Sequence, residues 1–164
     1  MINDQLWTAS MNSKSVIIAA TTLAITVGAA LAHGGATGIV KQRMDGMVAM
    51  GKALAAVADM FKGVQPYKQE VVAQSADVVQ LHAAEMKELF PDTHASRMGT
   101  GTEALPSVWQ NLEDFMELAD RLSHNASQLK LAAQSGERAN VQAAFGKIAR
   151  TCSACHRDYR KPRN

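Results

Sequence analysis

The chain has 164 residues, 47% hydrophobic, 5% aromatic and 20% charged, with a formal net charge of +2 at pH 7. That length suits one domain with a real apolar core, and so small a charge lacks the basic footprint of a nucleic-acid-binding protein. The only two cysteines are three residues apart, which excludes a disulfide framework.

Residues 1–32 read as a secretory signal. Met11 and Lys14 give a short positive start, Val16 to Ala30 is apolar, and Ala30-Leu31-Ala32 is an A-x-A cleavage site. Met11 is the expected initiator, because residues 1–10 carry Asp4 and no basic residue. Cleavage after Ala32 leaves a mature periplasmic domain, residues 33–164, that begins at His33. The apolar stretch is short for a membrane span, so no stable membrane insertion is expected after cleavage. A retained anchor helix is the alternative.

Four segments follow with apolar residues at helical steps of three and four. The first runs from about Gly38 to Lys62 along Ile39, Arg43, Met47, Met50, Leu54, Val57 and Phe61, and stops at Gly63 and Pro66. The second runs from about Lys68 to Phe90 along Val72, Ser75, Val79, His82, Met86 and Leu89, and ends at Pro91. Residues 91–105, with Gly99 and Gly101, read as one long loop. The third begins near Pro106 and carries Val108, Leu112, Phe115, Ala119, Leu122, Ala126 and Leu129 up to Ser135 and Gly136. The fourth begins near Glu137 and carries Val141, Phe145, Ile148, Cys152, Cys155 and Tyr159. Steps averaging about 3.5 residues match helices crossing at about 20°. The expected fold is an all-α antiparallel four-helix bundle, with a looser helical array as the alternative.

Cys152-Ser-Ala-Cys155-His156 is a C-x-x-C-H motif, the attachment pattern of a c-type haem. On a helix the two thiols share a face, where they can add to the two vinyl groups of one haem edge. His156, four residues past Cys152, projects from nearly the same face and can ligate the iron. Three other readings compete less well. A redox Cys pair belongs at a helix start after a strand, zinc needs a further ligand pair, and a disulfide at i,i+3 in one helix is strained.

The position of this motif, on the last of four helices, carries a family resemblance. The residues are Cys152-Ser-Ala-Cys155-His156-Arg-Asp-Tyr159-Arg160, Arg43-x-x-x-Met47, Gly63-Val-Gln-Pro66-Tyr67 and Trp109. Over residues 38–163 the sequence resembles the class II c-type cytochromes, the cytochrome c prime family. The resemblance implies a left-handed antiparallel bundle, often dimeric, with one covalently attached haem c near the C-terminal helix. It also implies that Arg160 lies on the proximal side, shielding or polarising His156.

The family divides by the residue over the open haem face. One branch places a bulky non-ligating side chain there, leaving five-coordinate iron open to NO or CO. A low-spin branch places a ligating methionine there. The corresponding position here, four after Arg43 and nineteen before Pro66, is Met47. Methionine on an apolar stripe is also a common core filler, and Met44, Met50 and His82 are the fallback ligands. Arg43 interrupts an apolar stripe, and a haem propionate would satisfy its buried guanidinium; a snorkelling arginine is the alternative.

The expected function is therefore a periplasmic monohaem one-electron carrier with His156 and Met47 as axial ligands and no enzymatic dyad. A gas-binding five-coordinate cytochrome c prime is the second reading, and a haem-free thiol or metal protein the third. The basic tail, Lys147, Arg150, Arg157, Arg160, Lys161 and Arg163 against Asp158, suits an acidic redox partner, with a plain solvated helix end as the alternative. Ala53, Ala55, Ala56 and Ala58 suit close helix approach in a homodimer, and equally serve as good helix formers.

Overall fold

The computed structural model describes residues 35–162. The expected signal peptide, its cleavage site, His33 and Arg163 lie outside the described residues. Six helices occur in chain order: α1 (Gly38–Phe61), α2 (Gln69–Leu89), α3 (His94–Met98), α4 (Ser107–Gln110), α5 (Leu112–Ser135) and α6 (Arg138–Tyr159). The four long ones form the expected bundle.

Local chemistry sets their ends. α1 closes with Gly63 at φ +74, and the Val64 N–H reaches back to the Asp59 carbonyl at 2.9 Å. This satisfies carbonyls that the helix end leaves open, in a backbone state glycine adopts freely. α5 ends the same way at Gly136, φ +75.

Cross-helix contacts fix the directions. Asp77 and Asp120 on α2 and α5 meet Lys130 and Lys87 on the opposite helix. Early α5 meets late α6 through Phe115 and Tyr159, whose rings are 5.2 Å apart. Arg43 of early α1 lies over Phe90, just past the end of α2. Late α1 meets early α6 through Phe61 and Phe145, rings 5.4 Å apart and edge-on. Each long helix is thus antiparallel to its neighbours.

The expected stripes point inward, except at Leu112, the first residue of α5, which is exposed. Val57, Val72, Val79, Ala126, Leu129, Val141 and Ile148 are fully buried. Burying each of the larger side chains contributes about 1.5–3 kcal/mol. No helix among the described residues is long and apolar enough to cross a membrane.

Two sequence expectations need correction. The third segment is not one helix from Pro106. It breaks at Asn111, whose φ of −128° and ψ of 52° leave the helical region while its side-chain amide donates to the Ser107 carbonyl. Asparagine offers the backbone such a local alternative to the helix. The stretch 91–105 is also not all loop. It folds into α3, whose first turn is capped by Thr93 Oγ1 accepting the Ser96 N–H at 3.2 Å.

Candidate functional site

α1 and α6 touch through Phe61 and Phe145 at one end of the bundle. Toward the other end a cavity of about 620 Å³ lies between them. An inner lobe of about 230 Å³ shares Met47, Gly51, Cys155 and His156 with it. Cofactor pockets typically run to about 300–1,000 Å³. The partly buried residues Met47 and Leu54 of α1, and Cys152 and Cys155 of α6, flank this cavity.

The C-x-x-C-H motif lies in the last two turns of α6. Cys155 and His156 line both lobes, and Cys152 lines the inner one. Burial pushes the Cys152 thiol above its usual range. It pushes Cys155 up to about 11, with the charges of Cys152 and Asp158 adding to the effect.

Met47 projects from α1 into the same two lobes. Met44 lines only the larger and Met50 the inner one. Gly51, one turn past Met47, also lines both, and a Cβ there would meet no atom within 4 Å. The slot between the helices therefore has a side without a side chain.

His82 lies elsewhere. It lines a small void of about 10 Å³ and neither lobe. Its Nδ1 pairs with Glu85 at 2.7 Å, and its ring packs against Gly46, where a Cβ would come within 3.2 Å of Nδ1. That void also touches Arg43, Met47 and Met50, so His82 stands behind the residues that line the lobes.

Arg43 is 7% exposed and lines the larger lobe. Its Nη2 donates to the Ser96 carbonyl at 2.8 Å and to Ser96 Oγ at 2.7 Å. The guanidinium carbon sits 4.3 Å from the Phe90 ring centre. The ring of Trp109, 5.9 Å away, is itself fixed by Nε1–H donated to the Phe90 and Pro91 carbonyls. Nε and Nη1 have no hydrogen-bond partner. Burial lowers the pKa of this arginine to about 10, which leaves it cationic at neutral pH.

A strap closes the cavity from the α6 side. The Leu105 N–H donates to the Tyr159 carbonyl at 2.9 Å, and the Lys161 N–H to the Glu103 carbonyl at 2.8 Å. Arg160 Nε donates to Glu103 Oε2 at 2.7 Å. Glu103 and Arg160 both line the larger lobe. The basic tail is thus partly neutralised, since Arg157 also pairs with Asp158 at 2.7 Å.

The family model described as cytochrome C′ matches residues 38–160. The chain belongs to the cytochrome c′ family. Cytochrome c-556 of Agrobacterium tumefaciens (strain II Chrys) is 32% identical over 123 residues, covering 75% of this chain and 97% of that protein. A cytochrome c′ of Rhodopseudomonas palustris is 31% identical over 126 residues, covering 76% and 82%. The solved cytochrome c′ from Rhodopseudomonas palustris superposes with a TM-score of 0.72 at 28% identity, covering 78% of this chain and 99% of that one. That from Thermochromatium tepidum gives 0.68 at 30% identity, covering 76% and 95%.

Cytochromes of this family carry one covalent haem c, and the residues here fit it. Two thiols on one helical face border a cavity of cofactor size. A buried, cationic arginine lines that cavity and has two nitrogens without a hydrogen-bond partner, which suits a residue that a propionate would satisfy. Ser96, Glu103 and Gly51 are site residues that periodicity did not single out. Thr93, three residues before Ser96, was the local signal for α3.

Proposed function

We propose that this protein is a periplasmic one-electron carrier in which His156 and Met47 hold the haem iron from opposite sides. The observation that carries the reading is the position of Met47. It comes from α1, yet lines both lobes together with Cys155 and His156 of α6. A thioether is a soft ligand suited to haem iron, and Met/His ligation raises the reduction potential.

Bound haem c supplies one-electron cycling between ferric and ferrous iron. The chain's residues do the rest. Cys152 and Cys155 tether the group through thioethers, and His156 presents its imidazole. Met47 would hold the iron as a second protein ligand and so keep small ligands out. Met50, Leu54, Val79 and Leu122 line the inner lobe with apolar side chains, which keeps the surroundings dry and of low dielectric constant. Arg43, a buried cation lining the larger lobe, would offer its guanidinium to a propionate. The export reading rests on the apolar stretch and A-x-A site of residues 1–32.

Lys52 is exposed at the rim of the larger lobe, and Lys147 and Arg150 are exposed on α6. These cations support docking of an acidic redox partner, with Arg157 and Arg160 contributing less because each faces a carboxylate.

A second reading is a five-coordinate gas binder. It is favoured by relatives named cytochrome c′, one of which, from Alcaligenes xylosoxidans, has been solved as a nitric oxide complex of a variant at 26% identity and a TM-score of 0.66. Met47→Leu separates the two. On the carrier reading the substitution converts a CO-indifferent ferrous spectrum into a CO-responsive one while the bundle stays folded. An unchanged spectrum removes Met47 as ligand.

A further inference from the structure

Arg43 is aimed by a second group. Arg43 lines the cavity from α1, but its guanidinium is held by α3, a helix of a different part of the chain, fifty-three residues away. Ser96 is fully buried, and both its carbonyl and its hydroxyl take hydrogen bonds from the same nitrogen, Nη2. Two acceptors on one nitrogen restrain the guanidinium of a residue that lines the cavity. The Phe90 ring closes one face at 4.3 Å. Nε and Nη1 are left without partners.

α3 is in turn held in place. Thr93 Oγ1 caps its first turn, and Arg97 forms a bidentate pair with Asp92 while lying 5.2 Å over the Trp109 ring. Gly99, at its end, packs so closely that a Cβ would meet the Ala95 carbonyl at 2.5 Å and Val40 Cγ2 at 2.8 Å. Ser96 is therefore a fixed point, not a passing loop contact.

We propose that Ser96 is a positioning residue for the redox centre: by pinning Nη2 of Arg43 it holds the cationic guanidinium beside the haem cavity and so sets the reduction potential. The inference rests on the redox role proposed above and is independent of which residue fills the sixth position. Ferrous haem carries one positive charge less than ferric haem. A fixed cation nearby stabilises the ferrous form, most strongly when held close in a medium of low dielectric constant. A guanidinium that rotates or withdraws stabilises it less, and the potential falls.

The test is a double-mutant cycle on the haem-loaded protein, read as midpoint potential by optical titration. Ser96→Ala shifts the potential downward, Arg43→Gln shifts it further, and adding Ser96→Ala to Arg43→Gln changes nothing more. Ser96→Thr, which restores the hydroxyl, returns the potential to the parent value. If Ser96→Ala leaves the potential unchanged, or shifts it equally with and without Arg43, the proposal is overturned. Should Ser96→Ala fail to load haem, Ser96→Cys, of similar volume but a weaker acceptor, supplies the same cycle. CO response of the ferrous parent is recorded in parallel; a CO-responsive parent contradicts methionine ligation and leaves the Ser96–Arg43 coupling to be judged by the cycle alone.

Discussion

Asn125 of α5 and Thr151 of α6 meet one residue before the first cysteine of the C-x-x-C-H motif: Asn125 Nδ2 donates to Thr151 Oγ1 at 3.1 Å, and that hydroxyl donates to the Lys147 carbonyl at 3.0 Å. Both side chains are buried, and Thr151 lines the inner lobe. Thr151→Val keeps the shape but strands the Asn125 amide, so it should destabilise the folded protein by about 1–3 kcal/mol. Urea titration of the haem-loaded protein measures this. Thr151→Ser should retain most of the stability, and adding Asn125→Leu to Thr151→Val should recover part of the loss.

Covalent attachment is tested at the cysteines. Replacing both Cys152 and Cys155 by Ser should give a protein from which acidified organic solvent extracts all haem. Either single replacement should leave the haem bound through one thioether, and haem staining on a denaturing gel distinguishes the cases.

Gly99→Ala probes the cap that carries Ser96. A Cβ there meets backbone, the Ala95 carbonyl, as well as Val40, and neither can yield without moving α3 or α1. Overpacking of this kind costs about 1–3 kcal/mol. The melting temperature should fall by several degrees.

The strap should matter little for stability. Arg160 and Glu103 have side chains 23% and 49% exposed, and ion pairs so placed contribute about 0.2–1 kcal/mol. Glu103→Gln should lower the melting temperature slightly at low salt. The difference should shrink at 1 M salt, where the screening length is about 3 Å.

Much of the bundle is visible in the sequence because its apolar stripes are long and regular. Ile148, Leu129 and Val57 are buried where their spacing places them. The attachment motif is visible because its chemistry is local: two thiols and an imidazole within five residues of one helix. Arg43 is visible as a cation on an apolar stripe, and its burial follows. Ser96 is not visible, because five residues of α3 are too short to show a period and its partner lies fifty-three positions away. Glu103 is equally hidden, since only the folded chain brings residues 103–105 beside 159–161. The tail therefore reads as more basic than it is. His82 sits on the expected stripe but at its edge, where Gly46 admits the ring and Glu85 holds it away from the larger cavity.

The most direct test of the central claim is the absorption spectrum of the haem-loaded protein, ferric and ferrous, before and after CO. Met47 as sixth ligand predicts sharp, resolved ferrous α and β bands that CO leaves unchanged. Broad, merged bands with a large CO-induced change would contradict it and make the protein a gas binder with an open iron.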